Sequence, residues 1–279
     1  LKIPPLLVGF TIVAIGTSLP ELAVVISSID RGEPNFAVGG IIGSNISNVM
    51  LVLGTAALLG TSESTEKGIR RDAMAVLVAT LILVALALLG EIHILIGIFM
   101  LILLVSFYVY SYNHVKNIET PPENEESWTP TNSLYASIAL FIGSLLIYCG
   151  TELLMRGVLE IMEKYGLAED VIGLTILALG TSLPEFAVTV ISALRGQGGV
   201  ALGNVLGSNV MNILGILGIA AIYGGGLIID PSFAERDIWI LLLSSGFVCA
   251  MLFNNKEIGR GIGFTMVLGY IAYLLFLYS

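Results

Sequence analysis

The sequence predicts an all-α membrane protein built from two inverted repeats, and three observations predict it. Of 279 residues, 56% are hydrophobic and only 12% are charged, with a mean hydropathy of +0.94. A water-soluble domain carries about 25% charged residues, so the natural solvent of this chain is a lipid bilayer. Apolar stretches recur at close to the ~20 residues that cross a hydrocarbon core as a helix. The chain also matches itself when displaced by 164 residues.

Nine membrane helices are expected, near 5–29, 36–60, 73–89, 92–112, 134–156, 171–194, 200–227, 238–253 and 262–278. Tyr108, Tyr110, Tyr112, Trp239, Tyr273 and Tyr278 fall toward the ends of these stretches, where amphipathic rings favour the interface. Most linkers are short. The exception is the acidic segment 113–132, with Thr120-Pro121-Pro122-Glu123-Asn124-Glu125-Glu126, which reads as a solvated loop between halves 1–112 and 133–279. The formal charge of −9 would ordinarily suggest a protein that avoids nucleic acid, and no nucleic-acid partner is expected, but much of it lies in such loops and says little about the core. Cys149 and Cys249 each stand alone in an apolar stretch and read as small buried side chains. The first residue is Leu1 and no signal peptide is visible, so the chain is expected to begin inside a longer precursor. Odd crossings put Lys2, Lys67, Arg70, Arg71, Lys116, Arg195, Lys256 and Arg260 on one side and Arg31, Arg156, Lys164 and Arg236 on the other. The basic excess makes the first side, with the acidic loop, cytoplasmic.

The repeat aligns Gly9–Gly54 on Gly173–Gly218 without a gap, with 23 identities in 46 positions. Gly16-Thr17-Ser18-Leu19-Pro20-Glu21 falls on Gly180-Thr181-Ser182-Leu183-Pro184-Glu185, Gly43-Ser44-Asn45 on Gly207-Ser208-Asn209, and Asn48 on Asn212. Five crossings separate the two copies, an odd number, so they enter the membrane from opposite sides. Inverted repeats that meet near the midplane on interrupted helices are the architecture of alternating-access transporters. A helix near 134–156 precedes the second copy and none precedes the first, so one N-terminal helix is expected to be missing.

The motifs carry hard-ligand chemistry. Pro20 and Pro184 disfavour a regular helix in the turn before them, and the carbonyls of Ala14, Thr17, Ala178 and Thr181 are expected to be released from helical bonding. Glu21 and Glu185 lie deep in apolar segments with no Lys or Arg in either repeat core. A buried carboxylate is costly unless paired, protonated or metal-bound, and cations are the obvious partners. Ser44 and Asn48 share a helix face, as do Ser208 and Asn212. Two carboxylates with hydroxyls, amides and carbonyls suit calcium, which takes about six to eight oxygens in flexible geometry. Soft metals call for Cys or His, and His93 and His114 lie outside the repeats. One calcium ion neutralises both glutamates, and the same oxygens accept sodium; mutual exclusion at one site is a physical basis for antiport.

Plainer readings stand beside these. Gly39 with Gly43 and Gly203 with Gly207 read as tight helix packing. Ser18 or Ser182 alone would more often bond its own backbone; beside a buried Glu, ligation is favoured. Asn45 and Asn209 read as structural bonds across helices. Glu152 and Arg156 form a snorkelling interfacial pair, and Arg31 and Arg195 cap their turns. The plain alternative for Glu21 and Glu185 is a protonated, hydrogen-bonded carboxylic acid.

The paired Gly-Thr-Ser-Leu-Pro-Glu and Gly-Ser-Asn-x-x-Asn motifs resemble the two α-repeats of the sodium/calcium exchanger family, prokaryotic type, over nearly the whole chain. The resemblance implies an inverted five-plus-five antiporter fold lacking its first helix here. It implies that Glu21, Glu185, Thr17 and Thr181 surround the calcium position, with Asn48 and Asn212 completing it. Ser18, Ser182, Ser44, Ser208, Ala14 and Ala178 would serve flanking sodium positions. Two departures matter. Asn212 stands where some archaeal and the potassium-dependent members have Asp, which argues against potassium co-transport. Gly40 matches Asn204, so the half-sites are not exact copies.

Calcium/sodium antiport across the cell membrane is therefore the leading expectation, with Ca2+ and Na+ as transported ions, the lipid bilayer as partner and no cofactor. The alternative is calcium/proton antiport, although no Gly-Asn-x-x-Glu pair of the proton-coupled branch is found. A membrane enzyme is disfavoured because no His-Glu-x-x-His, Cys/His cluster or paired membrane Asp is present. A channel is disfavoured by the interrupted inverted repeat.

Overall fold

A computed structural model describes residues 9–60, 68–116 and 130–278. The chain is almost wholly helical: α1 Gly9–Thr17, α2 Leu19–Asp30, α3 Pro34–Leu58, α4 Ile69–Leu89, α5 Ile94–Lys116, α6 Pro130–Tyr165, α7 Asp170–Thr181, α8 Leu183–Leu194, α9 Gly198–Tyr223, α10 Phe233–Phe253 and α11 Arg260–Leu277. Two short strands, β1 Glu91–Ile92 and β2 Leu227–Ile228, pair antiparallel between the halves. Among the described residues six helices are individually long and apolar enough to cross a bilayer, and eight spans result when the bent pairs α1–α2 and α7–α8 each count once. The expected span 134–156 lies inside α6, which is 36 residues long. The expected loop residues 117–129, Lys2, Lys67 and the start of the first span at 5–8 lie outside the described residues.

Apolar side chains such as Ile102, Val105, Leu243 and Leu275 are exposed, while Glu21, Glu185, Asn48 and Asn212 are buried. That distribution is stable only where the outer solvent is itself apolar.

The duplication is visible element by element. Displacing α1, α2, α3 and α4 by 164 residues lands on α7, α8, α9 and α10, with α4 and α10 coinciding at both ends. Each copy opens with a π-helical turn, Gly9–Val13 and Gly173–Leu177, and each carries another at Asn48–Leu53 or Met211–Ile216. Such turns insert a residue into the helical ladder and often mark functional sites. Both copies bend at the serine before the proline, by 43° at Ser18 and 46° at Ser182. Pro20 and Pro184 sit in the first turn after the bend, where a missing N–H costs nothing.

The copies pack reciprocally. A Cβ on Gly43 would lie 2.4 Å from the Leu174 carbonyl oxygen, and one on Gly207 would lie 2.3 Å from that of Phe10. Phe10 and Leu174 are themselves equivalent positions, so each repeat's first helix rests on the other's third through a bare glycine. Exchange of equivalent contacts is the mark of an approximate two-fold axis. The expected packing role of Gly43 and Gly207 is thus observed. One difference stands out: Leu154 of α6 covers Gly180 at 3.2 Å, whereas among the described residues nothing lies within 4 Å of the same point on Gly16.

Three readings are corrected. Arg31 does not merely cap its turn: it pairs with Glu152 at 2.7 Å, and Glu152 also holds Arg156 at 2.9 Å, tying α2 to α6. Cys149 is exposed, because its position in α6 faces away from the rest of the bundle; Cys249 is buried as expected. The carbonyls of Ala14 and Ala178 are not released. Each accepts the serine N–H four residues on at 3.0 Å and a threonine hydroxyl at 3.3 Å. The physical reason is register: proline withholds its N–H from the carbonyl four residues earlier, which is Gly16 or Gly180.

Candidate ion-binding site

The two bends carry the sequence motifs into the middle of the bundle. Glu21 and Glu185 fall in the first turns of α2 and α8, with the positive end of each helix dipole toward the carboxylate it carries. Both are buried. Glu21 lies within electrostatic reach of Glu185, and no ion pair among the described residues involves either one.

The hydrogen bonds cross between repeats. Ser18 donates to Oε1 of Glu185 at 3.1 Å, and Ser208 reaches the same oxygen at 3.5 Å. Asn212 donates through Nδ2 to the Ser44 hydroxyl at 3.1 Å. Thr17 donates to Oδ1 of Asn204 at 3.3 Å. A serine of the first repeat therefore serves the carboxylate of the second, and an amide of the second serves a serine of the first. Asn209 donates to the Asn45 carbonyl at 3.4 Å, the structural cross-helix bond expected of that pair.

The pattern is not symmetric. Glu21 sits beside the Thr181 hydroxyl, yet neither of its oxygens accepts a well-formed hydrogen bond. Oε2 of Glu185, Oδ1 of Asn212, the Ser182 hydroxyl and both polar atoms of Asn48 are likewise buried without protein partners. Leaving a buried polar atom unpaired costs about 1–3 kcal/mol, more for a charged group. In native proteins such groups are answered by ordered water, an ion or another ligand. Most of these atoms are oxygen acceptors and no cationic side chain answers them, which is the chemistry of a hard cation. Among the described residues no three His, Cys, Asp or Glu side chains come together; the donor set is two carboxylates with hydroxyl and amide oxygens.

Thr17, Ser18, Ser44, Ser208, Asn212 and Glu185 are thus joined by side-chain hydrogen bonds in this region. Ser182 and Asn48 are buried but make no such bond, and Ala14 and Ala178 are buried with their carbonyls engaged in their own helices. Asn204 and Thr189 belong to the same network, since Asn204 donates to the Glu185 carbonyl at 3.3 Å and to Thr189 at 3.0 Å. The mismatches of Asn204 with Gly40 and of Thr189 with Val25 were the available signal for that pair.

Buried carboxylates without basic partners inside a membrane bundle are the mark of ion-transporting membrane proteins. The sodium/calcium exchanger protein family matches residues 1–113 and 135–279, and the chain belongs to that family. It is 31% identical to the inner membrane protein YrbG of Escherichia coli, covering 99% of this chain and 87% of the relative. It is 29% identical to the sodium/calcium exchanger MaX1 of Methanosarcina acetivorans, covering 100% of this chain and 90% of that one. The fold is similar to that of the sodium-calcium exchanger NCX_Mj in crystals soaked with Na+ and Sr2+. The TM-score is 0.76 at 28% identity, over 98% of this chain and 87% of the other.

Proposed function

We infer that this protein exchanges Ca2+ for Na+ across the cell membrane, by alternating access at one site shared between Glu21 and Glu185. The observation that carries the reading is the pair of buried carboxylates, joined across the repeats by the Ser18 bond to Glu185, with unpartnered oxygens and no ion pair to either among the described residues. Two close carboxylates do not remain ionised and empty. One Ca2+, or enough Na+ to offset both charges, relieves the repulsion, and the two cargoes exclude one another. Thr17, Thr181, Asn48 and Asn212 complete the central position, and Ser18, Ser182, Ser44, Ser208, Ala14 and Ala178 line the flanking ones. The chain's own residues do no covalent chemistry here, and no cofactor is needed.

Nine crossings with inverted repeats fit the contacts between helix ends. Asp30 accepts from Tyr223 at 2.7 Å, Arg31 pairs with Glu152, and β1 pairs with β2 at one end. Gly60 meets Arg260 and Arg71 reaches the Ser111 carbonyl at the other. With one crossing fewer, Asp30 and Tyr223 would stand on opposite faces. The basic excess then places the second end, and the loop 113–132, in the cytoplasm.

The test is Ca2+ binding to purified protein at fixed pH and ionic strength, with Na+ replaced stepwise by a large organic cation. Adding Na+ should weaken apparent Ca2+ affinity, and acid should weaken it too, because a protonated carboxylate is no ligand. Ca2+ affinity indifferent to Na+ would overturn the shared site and favour proton coupling.

A further inference from the structure

Asn204 is buried in α9 and uses both ends of its amide. Nδ2 donates to the backbone carbonyl of Glu185 at 3.3 Å and to the Thr189 hydroxyl at 3.0 Å, while Oδ1 accepts from Thr17 at 3.3 Å. One side chain thus ties α9 to α8 at the carboxylate's own residue, and to α1 of the opposite repeat.

Nothing equivalent exists on the other side of the two-fold. The positions matching Asn204 and Thr189 are Gly40 and Val25, so both polar partners are replaced together. Thr181, which matches Thr17, bonds the Ala178 carbonyl of its own helix just as Thr17 bonds that of Ala14, but the position matching Asn204 is Gly40, which offers it no side-chain amide. Lack of space does not explain the difference, because a Cβ on Gly40 would meet only Leu177, at an ordinary 3.5 Å. The carboxylates follow the same division. Glu185, on the tied side, accepts from Ser18 and Ser208, whereas Glu21 accepts from neither of its counterpart serines, Ser182 and Ser44.

We propose that Asn204 and Thr189 form a clasp that fixes the second-repeat arm of the ion site, so that the Glu21 arm is the one that closes on the cation. The proposal deepens the exchanger reading and rests on it. A fixed arm is organised before the ion arrives, which lowers the ordering cost of binding. A yielding arm lets one cavity fit either a divalent ion or monovalent ions in different number. Asn204 is accordingly a positioning residue that acts through Glu185 and Thr17.

The experiment measures Ca2+ binding to full-length purified protein in Na+-free buffer by calorimetry, with circular dichroism and size exclusion as folding controls. Asn204→Gly with Thr189→Val recreates the first-repeat pair in the second. Folded variant should bind Ca2+ about tenfold more weakly, the equivalent of one lost buried hydrogen-bond partner. An unchanged dissociation constant in that variant overturns the clasp. If the variant does not fold, Gly40→Asn with Val25→Thr in the otherwise unaltered chain carries the test. A second clasp should slow Ca2+ release several-fold, by holding the arm that otherwise yields, and unchanged release overturns the proposal. Absence of Ca2+ binding by the unaltered protein rejects the exchanger reading, and the clasp with it. Binding by the unaltered protein alongside an unaffected variant rejects the clasp alone.

Discussion

Glu21→Gln and Glu185→Gln should each abolish Na+-driven Ca2+ uptake into proteoliposomes while leaving a folded protein. Glutamine keeps the shape of the side chain and removes one unit of charge. At Glu185 the Ser18 and Ser208 hydroxyls can still donate to the remaining amide oxygen. At Glu21 no well-formed hydrogen bond is lost, although the Thr181 hydroxyl stands beside it. Losing one member of a buried charge pair costs about 2–5 kcal/mol, so Ca2+ affinity should fall by roughly thirtyfold to several thousandfold. The two variants should nevertheless differ without cargo. Exchanging Glu21, whose oxygens accept no well-formed bond, should lower the melting temperature of Ca2+-free protein less than exchanging Glu185, which accepts from Ser18 and Ser208. Flux like that of the unaltered protein in either variant would sink the site assignment.

Gly207→Ala should cost more stability than any other single methyl added in the repeats. The new Cβ would lie 2.3 Å from the Phe10 carbonyl oxygen and 2.7 Å from both its carbonyl carbon and its Cα. All three are backbone atoms, so no side chain can swing aside. Overpacking against yielding neighbours typically costs about 1–3 kcal/mol, and here the expectation is above that range, with poor accumulation of folded protein. Gly43→Ala should follow closely, at 2.4 Å from the Leu174 carbonyl oxygen and 2.8 Å from Ala178. Gly16→Ala meets nothing within 4 Å among the described residues and serves as the control. Thermal midpoints in detergent decide it: a Gly207→Ala protein as stable as Gly16→Ala contradicts the close backbone crossing.

Much of this arrangement is legible in the linear chain because its signals are local. Pro20 and Pro184 mark the bends, hydropathy marks the helices, and buried glutamates without basic neighbours mark the site. What is not legible depends on which copy touches which. Nothing in Ser18 says that its hydroxyl goes to Glu185 and not to Glu21, three residues away, because that choice is made by reciprocal packing of α1 on α9. Arg31 and Glu152 are 121 residues apart and meet only after α2 lies against α6. The Ala14 and Ala178 carbonyls keep their helical bonds because the residue that loses its donor stands four before the proline.

The reciprocal glycine contacts bear on how evenly balanced the molecule is. If α1 on α9 and α7 on α3 are the same joint built twice, a conformer in which the halves trade shapes keeps the same inventory of contacts. Such a pair of conformers is close to degenerate, and modest differences in ligand affinity are enough to redistribute the population between them. The bias that remains must come from positions where the copies disagree. Asp30 and Tyr223 are one such place: they are bonded at one face, whereas their counterparts Leu194 and Leu59 have no polar group to bond. A bond made at one face with no counterpart at the other weighs toward the conformer that makes it, and Tyr223→Phe removes that bond.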